Sequence, residues 1–155
     1  MSRSRAPSLE ATHQVRDQCL CLHAQRAARA LGRRFDDAFR PLGLTNGQFS
    51  LMMSLNRPEP AGFGSVAALL AMDRTTLTAA LKPLERRGWV KSDVDRDDRR
   101  ARRIALTAAG KKILSRALPI WQSTHAELDR RLRDGDRLRS DLRVLSGEFA
   151  AESAG

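Results

Sequence analysis

The sequence of 155 residues predicts a mainly helical (α+β) protein that carries one small β-hairpin. Two observations support this fold class. Apolar residues recur at three- and four-residue steps through most of the chain, which is the period of an amphipathic helix. Between Trp89 and Thr107, two short apolar segments instead flank a highly charged turn, which is typical of two strands joined as a hairpin.

The first part of the chain predicts two helices and a loop. Apolar residues at helical spacing extend over residues 9–39, and Pro41 follows as a residue that cannot continue a helix. A second helix is expected after Thr45, because threonine can cap the free amides at a helix start. The segment 57–62 holds two prolines and a glycine, so we expect a loop there.

A short helix (65–72), a turn at Asp73 and a longer helix (75–88) are predicted next. In the longer helix, the face expected to pack on the core consists of Leu77, Leu81 and Leu84. Asp73 can accept hydrogen bonds from the free amides at the helix start, and Gly88 suits the position just past the helix end. Pro83 lies inside this helix, where we expect a bend.

The opposite face of the longer helix carries small, hydroxyl and cationic side chains, namely Thr75, Thr78, Ala79, Lys82 and Arg86. This mixture suits the major groove of DNA, where threonine contacts bases, alanine permits close approach, and lysine reaches guanine or phosphate. The bend expected at Pro83 places Arg86 outside the expected groove contacts. A solvated face of an ordinary amphipathic helix has the same pattern, so the helix alone leaves both interpretations open.

The charged turn between the two strands, residues 95–103, holds five arginines and three aspartates. Trp89 and Val90 before it, and Ile104 and Leu106 after it, supply the apolar anchors of two short strands. An arginine at such a tip can enter the minor groove of DNA, where the potential is negative. Although a charged turn can be merely solvated, helix and hairpin together favour nucleic-acid binding.

The composition points to the same class of partner. The chain holds 28 Lys and Arg against 18 Asp and Glu, a formal net charge of +10. This excess favours a polyanion, either DNA, RNA or an anionic membrane surface. The longest apolar run, 66–72, is too short to span a bilayer, and nothing resembles a signal peptide. We therefore expect a soluble, cytoplasmic, single-domain protein with no membrane partner.

Two further amphipathic helices are predicted after the hairpin. The first covers 107–132 and should be kinked or interrupted at Pro119; Gly135 marks a break, and the second covers 137–151. With the N-terminal helix, they hold more apolar surface than a small domain can cover. A homodimer explains this surplus, because a two-fold pair of DNA-binding units reads half-sites roughly 34–36 Å apart. An enlarged monomeric core is the alternative.

Four short motifs follow one another in the central part of the chain. They are Gly43-Leu-Thr-x-x-Gln-Phe, Met72-Asp-Arg-Thr-Thr-Leu-Thr, Leu84-Glu-Arg-Arg-Gly-Trp-Val and Asp98-Arg-Arg-x-x-x-Ile-x-Leu-Thr-x-x-Gly. In this order and spacing they resemble the MarR family of bacterial transcription regulators. The resemblance covers about residues 19–110, and the helical flanks have the length expected for that family.

The resemblance implies a winged helix-turn-helix fold and an obligate dimer whose terminal helices interlock. It also implies a pseudo-palindromic operator, read in the major groove by the helix from Arg74 and in the minor groove by the hairpin, or wing. By position, Arg100 resembles the wing-tip arginine and Asp98 its orienting partner. Family members commonly repress nearby genes and release DNA when a small, often aromatic or anionic, ligand binds.

We accordingly expect one MarR-type domain. Its dimerisation helices are residues 9–42 and 108–152, and its winged helix-turn-helix lobe is 44–107. The residues expected to contact DNA are Arg74, Thr75, Thr76, Thr78, Ala79, Lys82, Arg99, Arg100, Arg102 and Arg103.

Cys19 and Cys21 lie within the first predicted helix, where residues two apart point in nearly opposite directions. A disulfide between them would therefore require the helix to unwind. The pair lacks the four-ligand pattern of a structural zinc site. Two interpretations remain open: small buried apolar residues, or redox-sensing thiols whose oxidation loosens the dimer.

The histidines and the remaining motifs predict no catalysis. His23 could line an effector pocket with Cys19, Phe49 and Met53, although an ordinary core or surface histidine is the more common case. The three histidines show no metal-ligand spacing, and no phosphate loop, zinc-hydrolase motif or nucleophile elbow is present. We expect no enzyme, no metal and no cofactor.

The sequence thus predicts a homodimeric repressor that binds a pseudo-palindromic operator and releases it when a small molecule binds. Three alternatives remain. The first is an oxidation-sensing regulator of the same fold. The second is an architectural or RNA-binding protein, which would bind random and operator duplexes with similar affinity. The third is a winged helix that binds an acidic protein partner and binds no DNA even at low salt.

Overall fold

A computed structural model of the chain describes residues 6–147. Its helices are α1 (Leu9–Gln18), α2 (Leu20–Phe39), α3 (Asn46–Ser54), α4 (Phe63–Leu69), α5 (Arg74–Arg86), α6 (Ala108–Asp129) and α7 (Gly135–Leu145), and a 3₁₀ turn, Arg40–Leu42, follows α2. Its strands are β1 (Ala61–Gly62), β2 (Val90–Val94) and β3 (Arg102–Leu106). The predicted fold class, a mainly helical protein with a small hairpin, is confirmed.

The core lies where α2, α3 and α6 meet the inner faces of α4, α5 and β3. Its fully buried large side chains come from five of these six elements: Phe39, Leu51, Met52, Val66, Leu77, Leu84 and Ile104. The three leucines expected on the inner face of α5 are at most 2% exposed. Burial of one face of α5 necessarily leaves its opposite face at the surface.

The three strands form an antiparallel sheet in the order β1-β3-β2. In the hairpin, Val90 pairs with Leu106 and Val94 pairs with Arg102. On the other edge of β3, Ala61 pairs with Ile104, so the segment expected to be only a loop contributes a short strand. A strand of two residues is too short to show the alternation of apolar and polar residues that predicts a strand. The pairing gives hydrogen-bond partners to backbone groups of β3 that would otherwise lie at a sheet edge.

The prediction of one continuous helix over 9–39 is wrong at Cys19. That residue has extended backbone angles (φ −72°, ψ 107°) and separates α1 from α2. Its amide still donates to the carbonyl of Val15, while its Sγ accepts a hydrogen bond from the Leu22 amide at 3.4 Å. The thiol thus acts as the N-terminal cap of α2, a role usually taken by an oxygen and therefore hard to recognise in the sequence.

The boundaries of α5 follow from the predicted caps. The Asp73 carboxylate accepts a hydrogen bond from the Thr76 amide at 2.6 Å, and this bond lowers the pKa of Asp73. At the other end, Gly88 adopts φ 71°, the left-handed conformation that glycine tolerates best. Pro83 does not end the helix, which continues to Arg86.

The C-terminal helices differ from the prediction in detail. Helix α6 runs through Pro119 without interruption. Proline costs this helix one backbone hydrogen bond, and its ring lies at the exposed surface, where it does not disturb the core. Helix α7 begins at Gly135, two residues earlier than expected, because Asp134 caps it by accepting from the Arg137 amide. The end of the last predicted helix, including Phe149, lies outside the described residues. Among residues 6–147, no helix is long and apolar enough to cross a membrane.

Candidate nucleic-acid interface

The outer face of α5 carries most of the residues expected to read DNA. Four of them have exposed side chains: Thr75, Thr76, Ala79 and Lys82. Thr75, Ala79 and Lys82 lie opposite the buried leucine face, and Thr76 lies on the flank of the same helix, which the core holds in place. This surface offers hydroxyl groups, a small residue and a cation within three turns of helix, which suits base edges and phosphates in a major groove.

Thr78 differs from its neighbours on α5. Its side chain is half-buried, and its hydroxyl donates a 2.8 Å hydrogen bond to the carbonyl of Arg74 within the helix. The hydroxyl proton is therefore occupied, whereas the oxygen lone pairs and the methyl group remain for contact. Thr78 is suited to accept a hydrogen bond or to touch a thymine methyl rather than to donate.

Arg74, at the start of α5, is oriented by an aromatic ring. Its guanidinium lies 4.8 Å from the centre of the Phe63 ring, a cation–π contact with the first residue of α4. The same arginine lines an open cleft of about 510 Å³. Among the other residues lining this cleft are Arg100, Arg102 and Arg103 of the wing. The structure therefore brings helix and wing arginines to one concave surface.

The wing tip is held by a carboxylate that contacts backbone. Asp98 Oδ1 accepts from the amide of Arg100 at 2.9 Å, and the Asp98 carbonyl accepts from the amide of Ala101 at 2.9 Å. Asp98 thus shapes the turn that carries Arg100 through hydrogen bonds to backbone amides. The assignment of Asp98 as the residue that orients Arg100 remains a prediction, and the contact by which it would act is the one to the Arg100 backbone amide.

Asp95 is the wing residue that sequence reasoning missed. Its carboxylate accepts from Arg103 Nε at 2.5 Å and from the amide of Asp97 at 2.9 Å, and its side chain is 12% exposed. The Asp97 amide, followed by Arg103, holds the pKa of Asp95 below its ordinary value. Arg103 also donates to the carbonyl of Pro60. The eight-residue separation of the pair across a predicted hairpin is the signal that could have revealed it.

Arg102 makes a second set of contacts at the base of the wing. Its Nη2 donates to Ser92 Oγ at 2.6 Å and lies 3.9 Å from Glu85 Oε1. The Ser92 hydroxyl in turn donates to Glu85 Oε1 at 2.6 Å. Two of the arginines expected to bind DNA, Arg102 and Arg103, are therefore engaged within the chain.

The other three wing arginines stand apart. Arg96, Arg99 and Arg100 are exposed, and within residues 6–147 their guanidinium groups make no hydrogen bond or ion pair. Their donors are available to a partner outside the chain. The wing thus combines a braced base with a cationic tip, which is the arrangement that an anionic groove or backbone requires.

The far end of α5 is tied to the N-terminal half of the chain. Arg87 Nη1 donates to the carbonyl of Gly43 at 2.5 Å, and its guanidinium carbon lies 3.7 Å from the centre of the Trp89 ring. Gly43, with φ 66°, ends the 3₁₀ turn after α2. This contact joins the turn after α2 to the segment between α5 and β2.

The residues of the predicted effector pocket lie in different surroundings. His23 Nε2 is 3.0 Å from the carbonyl of Asp17, and the histidine lines an open groove of about 620 Å³ on α2. Phe49 is in the core, with ring centres 4.8 Å from Phe39 and 6.4 Å from Trp121. Cys19 caps α2, and Met53 packs at the edge of the core. A pocket shared by these four residues stays a prediction.

Comparison with known proteins places these features in a family context. The model of the MarR family matches residues 44–101, which include the whole helix-turn-helix and most of the wing. The transcriptional regulator HosA of Escherichia coli O157:H7 is 37% identical over 91 residues, which are 57% of this chain and 66% of HosA.

Solved structures agree in fold. The transcriptional regulator MosR of M. tuberculosis, in complex with DNA, is 38% identical and has a TM-score of 0.78, with 88% of this chain and 98% of MosR covered. The transcriptional repressor CouR, bound to a 23-mer DNA duplex, is 26% identical and has a TM-score of 0.71, with 95% of this chain and 99% of CouR covered. Both similar structures are regulators with DNA bound.

Proposed function

The chain belongs to the MarR family and is a DNA-binding transcriptional regulator, not an enzyme; from that premise we propose that it is a homodimeric repressor released by a small-molecule ligand. The operator is pseudo-palindromic, with one half-site for each subunit. The observation that carries the DNA-binding part of this proposal is the cleft in which Arg74, at the start of α5, lies beside Arg100, Arg102 and Arg103 of the wing. Together with the exposed hydroxyl-bearing face of α5, these cations suit specific contact with a duplex rather than charge attraction alone.

The proposed reading of DNA divides the surface by groove. Thr75, Ala79 and Lys82 on α5 enter the major groove, together with the other helix residues, Arg74, Thr76 and Thr78. The wing places Arg99 and Arg100 in or beside the adjacent minor groove. Asp98 supports this placement through the turn that it caps.

The proposed dimer is supported by apolar side chains that the described chain leaves at its surface. On the terminal helices these include Leu9, Val15, Leu20, Leu31, Leu118, Leu138, Leu142, Val144 and Leu145. A second copy of the chain covers such a surface most economically, because a two-fold interface buries the same residues on both subunits. Residues 9–42 and 108–152 are therefore proposed as the dimerisation helices, and 44–107 as the DNA-binding lobe.

The proposed effector is a small aromatic or anionic molecule. The groove on α2 combines His23 with Arg26, Arg29 and Arg33, separated by alanines. Such a lining suits a carboxylate or another anion near the dimerisation helices. Binding there would change the distance between the two DNA-binding lobes of the dimer. Affinity for the operator would then fall, because both half-sites could no longer be contacted together.

The first experiment is a binding titration on the DNA immediately upstream of the gene for this chain. Random duplex serves as competitor, and the titration is repeated at two salt concentrations. The proposal predicts a preference for the upstream DNA of about a thousandfold or more. Equal binding to both duplexes would favour the non-specific alternative, and no binding at low salt would favour an acidic protein partner.

A second candidate, an oxidation-sensing regulator, is favoured by the helix break at Cys19. Because Cys19 is extended and precedes α2, the objection that a continuous helix holds Cys19 and Cys21 apart no longer applies. Cys21 is exposed, and Cys19 is half-buried. Peroxide would oxidise both thiols to one disulfide and be reduced to water, and the cap on α2 would be lost.

Peroxide treatment followed by mass spectrometry tests this candidate. An oxidation-sensing regulator should lose two hydrogens per chain at the peptide that contains both cysteines, at the same dose that abolishes DNA binding. The Cys21→Ser variant should keep its DNA binding at that dose. If peroxide abolishes DNA binding while both thiols stay reduced, Cys19 and Cys21 are not the groups that sense oxidation.

A further inference from the structure

We infer that Arg102 is a positioning residue that braces the wing against the recognition helix, rather than one of the residues that contact DNA. The inference rests on the proposed use of α5 and the wing as the DNA-binding surface. It concerns Arg102, Ser92 and Glu85, which we call the wing brace. Arg102 thereby has a different role from the other wing arginines, with which the sequence groups it as an expected DNA contact.

The wing brace joins three elements. Glu85 lies in the last turn of α5, Ser92 is the middle residue of β2, and Arg102 begins β3. The Ser92 hydroxyl lies 2.6 Å from Glu85 Oε1 and 2.6 Å from Arg102 Nη2. Because an ionised carboxylate only accepts and a guanidinium only donates, the hydroxyl must donate to Glu85 and accept from Arg102. The hydroxyl of Ser92 thus links the carboxylate of Glu85 to the guanidinium of Arg102.

The position of the brace explains what it does. Only residues 87–89 connect α5 to β2. Gly88 among them has φ 71°, the left-handed conformation that glycine adopts without steric cost. The pairing with β1 and the buried Val90 and Ile104 already hold the base of the hairpin, and a polar tie to α5 adds to that hold. The brace supplies that tie three residues beyond Trp89 and holds the angle between recognition helix and wing.

Electrostatics separate Arg102 from the arginines at the tip. The charge of Arg102 faces the Glu85 carboxylate, whose side chain is 33% exposed. Arg100, by contrast, contacts Asp98 only through its backbone amide. Arg102 commits Nη2 to Ser92 and has part of its charge balanced by Glu85, whereas the Arg100 guanidinium makes no hydrogen bond or ion pair within residues 6–147.

Ser92→Ala is the decisive variant, because it removes the hydroxyl of the brace without changing any charge. We expect it to lower affinity for the upstream DNA about tenfold, the size of one coupling within a shared network. The slope of log affinity against log salt should stay unchanged, since no phosphate contact is lost. Ser92→Thr, which keeps the hydroxyl, should restore the affinity.

Matched variants supply the controls. Ser115→Ala removes a hydroxyl that bonds only to Lys111 in its own helix, and should leave the affinity unchanged. Arg100→Met should reduce the salt slope by about 0.9, the value for one phosphate contact on duplex DNA. Arg102→Met should weaken binding with the slope of the wild type. A slope reduced by about one for Arg102→Met, or a Ser92→Ala variant that binds like wild type, overturns the inference.

Glu85→Ala adds a test in which simple charge and the brace predict opposite signs. If Glu85 were only a negative charge near DNA, its removal would strengthen binding. If it holds Arg102, its removal weakens binding about tenfold. Tighter binding by Glu85→Ala therefore overturns the brace.

A measurement without DNA separates failure of the brace from failure of the proposed function. Denaturant unfolding of wild type, Glu85→Ala, Arg102→Met and the double variant gives the coupling between the two residues. Non-additive effects support the brace even if no operator is found. Additive effects overturn it even if the wild type binds the upstream DNA specifically.

Discussion

Two carboxylates of the wing accept hydrogen bonds from nearby backbone amides, and one of them also pairs with an arginine. Asp95 accepts from Arg103 and from the Asp97 amide, while Asp98 accepts from the Arg100 amide. These bonds leave the Arg100 side chain exposed at the end of a shaped turn. At the scale of single residues, Asp95 therefore engages Arg103 within the chain, and Asp98 shapes the turn that leaves Arg100 available to DNA.

Arg100→Ala should weaken binding to the upstream DNA and flatten its salt dependence. Loss of one phosphate contact reduces the slope of log affinity against log salt by about 0.9. Titrations at several salt concentrations measure this slope for wild type and variant. An unchanged affinity would remove the wing tip from the DNA contacts.

Ala71 carries local backbone strain in the turn of the helix-turn-helix. Among the described non-glycine residues it alone has a positive φ, of 51°. The left-handed conformation costs an L-residue with a Cβ about 1–2 kcal/mol, whereas glycine adopts it freely. Replacement by glycine relieves this strain but increases the entropy of the unfolded chain.

Ala71→Gly should therefore raise the free energy of unfolding by up to about 1 kcal/mol. Ala71→Val should lower it, because a branched side chain tolerates this conformation least. Urea unfolding of the three proteins gives the comparison. A stabilising effect of valine would show that the turn is not strained at this residue.

At the scale of elements, the start of α6 explains the motif Leu-Thr-x-x-Gly. Thr107 caps the helix by accepting from the Gly110 amide, and its own hydroxyl donates to the carbonyl of Gly88. The Thr107 amide donates to the carbonyl of Trp89. A Cβ added at Gly110 would lie 2.0 Å from that same carbonyl oxygen. The glycine is thus required by the close approach of α6 to the end of α5.

Gly110→Ala should destabilise the protein by about 3 kcal/mol or more, because backbone atoms must move to admit the methyl group. Thermal or urea unfolding measures the loss. Gly47→Ala is the matched control, since no atom lies within 4 Å of the added Cβ. The control should be neutral or slightly stabilising. If Gly110→Ala unfolds like the control, the close approach does not constrain this helix.

The packing of α2 against α6 includes a histidine. The ring centre of His125 lies 4.4 Å from that of Trp121 and 4.8 Å from that of Phe35. Burial lowers the pKa of His125 and the charge of Arg139 lowers it further, while Asp129 opposes the change. The folded protein therefore favours the neutral imidazole between the two aromatic rings.

The pH dependence of stability follows from this direction. Because the pKa of His125 is lower in the folded chain than its ordinary value of 6.5, the unfolded chain binds more protons between those two values. Stability contributed by His125 is thus complete above pH 6.5 and is lost as pH falls through the folded pKa. Urea unfolding at stepped pH should show this loss. His125→Phe should reduce the dependence in that interval; an unchanged dependence would assign it to other groups.

At the scale of the whole molecule, two different surfaces serve the two proposed partners. The cleft beside the wing holds four arginines, Arg74, Arg100, Arg102 and Arg103, and most of the exposed large apolar side chains lie on the terminal helices. This arrangement suits a protein that binds DNA with one surface and a second copy of itself with another. The net charge of +10 adds long-range attraction to the duplex.

Leu142→Glu should weaken the proposed dimer, because the side chain is 44% exposed on α7 and a charge there would be buried at the interface. Sedimentation or light scattering at several concentrations measures the shift toward monomer. Leu69→Glu, also at an exposed leucine but on α4, is the control and should leave the oligomeric state unchanged. A monomeric wild type would contradict the proposed interface.

The comparison of prediction with structure shows where local patterns were sufficient. The cap at Asp73, the inner leucines of α5 and the end of that helix at Gly88 all depend on neighbours within a few positions. Such features are encoded by spacing alone, because helix periodicity and caps are local. The break at Cys19 was missed because it depends on a sulfur cap, which does not follow the usual preference for an oxygen.

Local patterns in the sequence predict the mainly helical fold with a hairpin, the recognition helix with its outward face, and the resemblance to a regulator family. The division of the wing arginines depends on the folded protein: Arg102 contacts Ser92 and Glu85, Arg103 pairs with Asp95, and Arg100 stays exposed. The five arginines of the wing are identical side chains in the sequence. Their roles differ because partners distant along the chain come within hydrogen-bonding distance only after the sheet and α5 have packed together.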